Sequence, residues 1–118
     1  MPGFEDLFRT EYARLVRCLR AVDGDADECV QQAFARAYAR WRWVRDLGDP
    51  CGWVRREAVA RTRARRSPEL LALALYYGGG YDVSEIAHAM SSSEGRVFGL
   101  LRQGREHMRA HLPELSHV

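Results

Sequence analysis

The sequence predicts an all-α fold, and three observations lead there. Apolar residues recur at three- and four-residue spacing through most of the chain. Three of those runs are preceded by acidic N-cap signatures: Asp25 with Glu28, Asp49 before Pro50, and Asp82 with Glu85. Clusters of Gly, Pro and Ser then separate the runs. At 118 residues the chain has room for one compact domain or two very small ones that must lean on each other.

The first helix is read from Phe4, Leu7, Phe8, Tyr12, Leu15, Val16 and Leu19, which place one apolar stripe over residues 4–21 before the turn DGDAD. Asp25 and Glu28 have capping-box spacing ahead of Cys29, Val30, Ala33, Phe34, Ala37, Tyr38 and Trp41, the stripe of a second helix packed on the first. RDLGDP is a turn, with Asp49 as N-cap and Pro50 in the first helical position, where a missing amide hydrogen costs nothing. The third helix is predicted to run to about Arg66. Ser67-Pro68 interrupts the pattern, ELLALALYY makes a short apolar helix, and Gly78-Gly79-Gly80 ends it. Asp82 and Glu85 then cap a helix through IAHAM, the serines 91–93 make a turn, and residues 94–112 form the last helix. A short helix, a tight turn and a longer helix give the outline of a helix-turn-helix, in which the longer helix enters the DNA major groove.

Composition narrows the function. Residues 1–66 carry 14 arginines against 10 acidic residues, a net of +4, whereas residues 67–118 carry 4 against 6, a net of −2. If one half meets nucleic acid it is the first. Cys18, Cys29 and Cys51 have no CxxC spacing and read as buried free thiols. The N-terminal segment lacks a hydrophobic signal core, and no apolar run approaches the ~20 residues of a membrane span, so a cytoplasmic protein is expected.

Between residues 55 and 66 stand six arginines and Glu57. That density suits phosphate contact and also suits a solvated helix face. Glu57 falls at an inward register and is expected to pair with Arg61, four residues on. Trp41 lies on the apolar stripe and is expected in the core, while Trp43 and Trp53 are candidates for stacking on unpaired bases. His107 and His111 have an i, i+4 spacing able to bind a metal, but no third ligand stands at a sensible distance in sequence, so neither metal nor cofactor is expected. The triple glycine lacks the following GK[ST] of a phosphate loop, and no base and orienting acid are placed beside the serines, so no enzyme is read here.

FEDLFRTEYARLVRCLR, DADECVQQAFARAYARW and DPCGWVRREAVARTRARR together resemble the first conserved domain of the extracytoplasmic-function sigma factors of bacterial RNA polymerase. YYGGGYDVSEIAHAMSSSEGRVFGLLRQGREHMR is similar to their second, with DVSEIA and SEGRV where that family has its helix-turn-helix. The resemblance implies a three-helix sigma region 2-like domain over residues 1–66 and a shortened region 4-like helix-turn-helix over residues 69–113, packed together. It further implies that Asp27, Glu28, Gln31, Gln32 and Arg36 face the β′ clamp helices of the polymerase core. Trp53, Arg55, Arg56, Arg61, Arg63, Arg65 and Arg66 would lie near the −10 element of promoter DNA, with Arg96 and Gln103 on the reading helix of the second domain.

Departures from the family pattern add an alternative. Members carry a linker of a few tens of residues, yet only Arg66, Ser67 and Pro68 stand between the halves here. Three extended residues reach ~10 Å, against about 60 Å of duplex between elements roughly 17 base pairs apart at ~3.4 Å per step. Ala60 stands where an asparagine is usual, and Ser91-Ser92 replaces a glycine and an aliphatic residue at the helix-turn-helix turn. Phe98 and Leu100 on the last helix are expected to seek a protein partner rather than DNA. The alternative is therefore a sigma mimic that lacks full promoter recognition and captures an anti-sigma factor.

Overall fold

The computed structural model describes residues 3–111. The side chains of Arg65 and His111 lie outside the described set, as do residues 112 and 113, the expected ends of the last helix and of the second unit. Seven α-helices follow in order and no strand occurs among the described residues: α1 (Phe4–Arg20), α2 (Ala26–Ala39), α3 (Trp41–Val44), α4 (Pro50–Arg61), α5 (Pro68–Leu73), α6 (Val83–Ala89) and α7 (Glu94–His111). A 3-10 turn spans Arg63–Arg66, and a wider π turn, Ala74–Gly78, extends α5.

Leu15 and Leu19 of α1, Val30, Ala33 and Phe34 of α2, and Val54 and Ala58 of α4 bury one side of the molecule's core. Leu71, Leu75, Ile86, Val97 and Leu101 continue the same apolar cluster into the second half, so both halves share one interior. Trp41 is in it, as its place on the apolar stripe predicts.

Several local signals are realised. The Asp49 carboxylate accepts from Gly52 N at 2.9 Å, with Pro50 opening α4. Asp82 and Glu85 exchange side-chain and backbone hydrogen bonds at 3.0 and 2.8 Å. Glu57 pairs with Arg61 and also reaches Arg36 at 3.8 Å. Gly79 tolerates no side chain, because a Cβ there would stand 2.6 Å from the Tyr81 ring.

Three expectations are corrected. Asp25 makes no side-chain cap on α2. The Asp23 carboxylate instead holds the turn just before α2, accepting from Asp25 N at 2.8 Å. The second helix also breaks at Arg40, leaving Trp41–Val44 as a separate turn. The third helix ends at Arg61 rather than Arg66, since Thr62 adopts extended backbone (φ −78°, ψ 145°) and turns the chain into the 3-10 segment.

Asp23 also stabilises this exit from α4. The Thr62 hydroxyl donates to it at 2.7 Å, and this bond, with the Asp25 and Arg63 amides, holds the Asp23 carboxyl below its ordinary range despite burial. A depressed carboxyl contributes stability that is present above its unfolded value of ~3.9 and fades as pH falls through the folded value. Asp23→Asn is therefore expected to be less stable than the parent chain at pH 7. The gap should narrow as urea titrations are taken below about pH 4. A gap of constant size down to pH 2 would show that the Asp23 charge is not what holds the turn.

Candidate functional site

On α2, Asp27, Glu28, Gln31, Gln32 and Arg36 are all exposed, and their i, i+1, i+4, i+5, i+9 spacing puts them on a single face. The opposite face carries Cys29, Val30, Ala33, Phe34 and Ala37 into the core. Asp27 is tethered by a two-oxygen contact from Arg20 Nη2 at 2.9 Å, and Glu28 lies 3.4 Å from Gln32 Nε2. These contacts are solvent-exposed and weak, so the face is a patterned polar surface open to a partner.

Beside it lies the exposed side of α4. Arg56 is exposed and Trp53 half-buried, with Arg61 held between Glu57 and the backbone. Arg63 and Arg66 on the following turn are exposed. A cleft of about 210 Å³ joins the two surfaces, lined by Asp25, Glu28, Gln32, Arg61 and Arg63 among others.

Trp53 meets Trp43 edge to face, with ring centroids 6.1 Å apart, and Trp43 remains 55% exposed. Trp43 also lines a shallow cavity with Tyr38, Arg40 and Arg42. Aromatic faces flanked by guanidinium groups offer stacking and charge together, the chemistry that holds single-stranded nucleic acid. Arg40 and Arg42 escaped the sequence reading. The alternation of Arg and Trp over residues 40–43 was the available signal.

Arg55, expected near DNA, is a correction. It is only 5% exposed and points inward to Glu11, itself 1% exposed. Arg55 Nη2 donates to Glu11 Oε1 at 3.4 Å and lies 3.4 Å from Glu85 Oε2. Tyr81 donates its hydroxyl to Glu11 Oε2 at 2.7 Å, and Arg14 lies over the Tyr81 ring at 3.9 Å while donating to Gly79 O at 2.6 Å. Burial alone favours a neutral guanidine, but the Glu11 carboxylate more than offsets it and keeps Arg55 cationic. Burial and the bond to Glu11 push the Tyr81 phenol well above its ordinary value, so it remains a donor. Glu11 and Tyr81 were also missed by sequence. This hub fastens α6 and the loop before it onto α1 and α4.

On α7, Arg96, Phe98 and Gln103 are exposed, Phe98 at 61%. Leu100 corrects the expectation of a paired apolar surface: it is 6% exposed and belongs to the core. All four arginines of the second half, Arg96, Arg102, Arg105 and Arg109, are exposed on this one helix, so its surface is basic although the half as a whole is acidic. At the turn before it, Ser91 takes a left-handed backbone (φ 53°), and Ser92 N bonds to Ala87 O at 2.8 Å. The corner between α6 and α7 closes without glycine, at the steric cost a Cβ imposes there.

The thiols carry no reactive signature. Cys18 is buried and its thiol is pushed up to about 11 by desolvation. Cys29 is buried, whereas Cys51 is only half-buried, a correction to the expectation of three buried thiols; both thiols are also raised, first by burial. Among the described residues no cluster of three or more potential metal ligands occurs, and no helix is long and apolar enough to cross a membrane.

No protein-family model matches the chain, and neither the curated proteins nor the solved structures give a match.

Proposed function

We propose that this chain is a sigma-like transcription protein. It docks on core RNA polymerase at the β′ clamp helices through the polar face of α2, and it holds promoter DNA on α4 and the basic turn that follows. The observation that carries this reading is the single exposed face of Asp27, Glu28, Gln31, Gln32 and Arg36, which shares a cleft with Arg61 and Arg63. Trp43, packed on Trp53 and flanked by Arg40 and Arg42, would supply stacking and phosphate contact, and Arg56 stands exposed on α4.

The test is a titration of labelled protein with purified bacterial core polymerase, repeated with a forked DNA bearing a −10 element. Binding to core that tightens with the fork is the expected result. The double variant Glu28→Arg, Arg36→Glu should weaken core binding at least tenfold while leaving the fold intact, since the Arg36 contact to Glu57 is a partly exposed pair at 3.8 Å. Undiminished core binding by that variant would remove α2 as the docking face.

One observation favours a second reading, a mimic that captures an anti-sigma factor. Phe98 stands in solvent on α7, where a groove-reading helix would carry polar groups, and the Glu11 hub fixes the second half against the first. A protein with this arrangement would present both halves at once to one partner. No binding to core, with or without the fork, would favour it.

A further inference from the structure

The chain leaves α4 under the control of one carboxylate from a distant turn. Asp23, between α1 and α2, is buried, and its Oδ2 accepts from Thr62 Oγ1 at 2.7 Å and from Arg63 N at 2.8 Å. Its Oδ1 accepts from Asp25 N at 2.8 Å, at the entrance to α2. Thr62 is 1% exposed, and its hydroxyl, having donated to Asp23, accepts from Ala64 N at 3.2 Å. A single carboxylate thus ties the start of the docking helix to the exit from the basic helix.

The consequence falls on the arginines. Had α4 continued, residues 63–66 would have kept helical register with the rest of α4. Instead the Thr62 corner starts a 3-10 turn that presents Arg63 and Arg66 to solvent. Arg63 Nη2 approaches Asp25 Oδ2 at 3.9 Å with both groups largely exposed, a weak pair that a phosphate can replace. An arginine whose backbone is already placed gives up less freedom on meeting a phosphate than one on a loose segment.

We infer that Asp23 and Thr62 are positioning residues for nucleic acid: they hold the turn Arg63–Arg66 at a fixed angle to the docking face of α2, so that the polymerase-bound chain offers both arginines to the DNA backbone. The inference rests on the proposed function. Neither residue touches DNA in it, and both act through the backbone of Arg63.

The experiment measures binding of fluorescent −10 fork to the complex of the chain with core polymerase across a salt series. Arg63→Ala with Arg66→Ala should flatten the dependence of log K on log salt by about 1.8, taking ~0.9 for each phosphate no longer neutralised. Thr62→Val should weaken fork binding about tenfold and flatten the slope in the same direction, with core affinity unchanged and Arg63 amide exchange accelerated. Thr62→Ser, which keeps the hydroxyl, should restore all three. If Thr62→Val also loses core affinity, Asp23→Asn, which keeps one acceptor oxygen, is read by the same criteria. Parent-like fork binding and slope in the Val variant (or in the Asn variant where it replaces it), with the arginine variant impaired, overturns the inference and leaves the proposed function standing. A parent chain that binds no fork on core overturns both, whereas an arginine variant that binds as the parent does overturns the inference and removes the Arg63–Arg66 turn from the DNA surface.

Discussion

Glu11→Ala is expected to cost about 3–5 kcal/mol of folding stability, the usual penalty for leaving a buried charge without its partner. Arg55 would remain inside the protein with only the half-exposed Glu85 carboxylate at 3.4 Å, and the Tyr81 hydroxyl would lose its acceptor at 2.7 Å. Against a total of about 5–15 kcal/mol for a domain of this size, that loss is a large fraction. Urea denaturation reads it as a lower midpoint at unchanged slope. Pairing Glu11→Leu with Arg55→Met should recover much of the loss, because two apolar side chains of similar length remove the desolvation cost together with the attraction. A Glu11→Ala variant within about 1 kcal/mol of the parent would mean that the hub contributes little. The outcome bears on function as well, since an Arg55 needed to neutralise Glu11 is not available to a phosphate.

Arg55 also marks the limit of what the sequence makes legible. Helical spacing and caps were readable because each depends on residues three or four apart: the Asp49 cap, the Asp82–Glu85 box, the Glu57–Arg61 pair and the burial of Trp41 all follow local rules. Arg55 and Arg56 are adjacent in a basic run, yet neighbouring helix positions point about 100° apart, and which one turns inward depends on Glu11, 44 residues away. A faint signal existed. Glu11 stands at i, i+4 between Leu7 and Leu15, a charge in an apolar register that calls for a buried counter-charge.

The other misreadings have the same origin. Asp25 has capping-box spacing, but Asp23 is closer to the end of α4 and collects Thr62 and Arg63 there, a preference that no local window contains. The corner at Thr62 interrupts a helical pattern of good helix formers because the tertiary hydrogen bond its hydroxyl donates to Asp23 outweighs propensity. That Asp27, Glu28, Gln31, Gln32 and Arg36 share one exposed face of α2 follows from helical spacing, whereas the docking role proposed for that face rests on the resemblance alone. The junction of that face with the basic turn was not readable, since the cleft between Glu28 and Arg63 exists only once α2 and α4 are packed.

Leu100→Asp and Phe98→Asp should behave as opposites although the two residues stand two apart. Leu100, three residues from Val97 and one from Leu101, lies in the core, and a carboxylate there has no partner within the apolar cluster. The expected loss is about 4 kcal/mol or more, visible as a molecule that is largely unfolded at about 37 °C by circular dichroism. Phe98 projects into solvent, and its replacement should change stability by no more than about 0.5 kcal/mol. That contrast makes Phe98→Asp a clean probe of the second functional reading. If a partner docks on α7, its affinity should fall more than tenfold in a variant that melts with the parent. Core binding through α2 should stay as it was, because α2 and Phe98 belong to different halves. A variant that kept its affinity for a captured anti-sigma factor would remove Phe98 from that interface. The exposed ring would then be one of the scattered surface apolar residues that ordinary proteins carry.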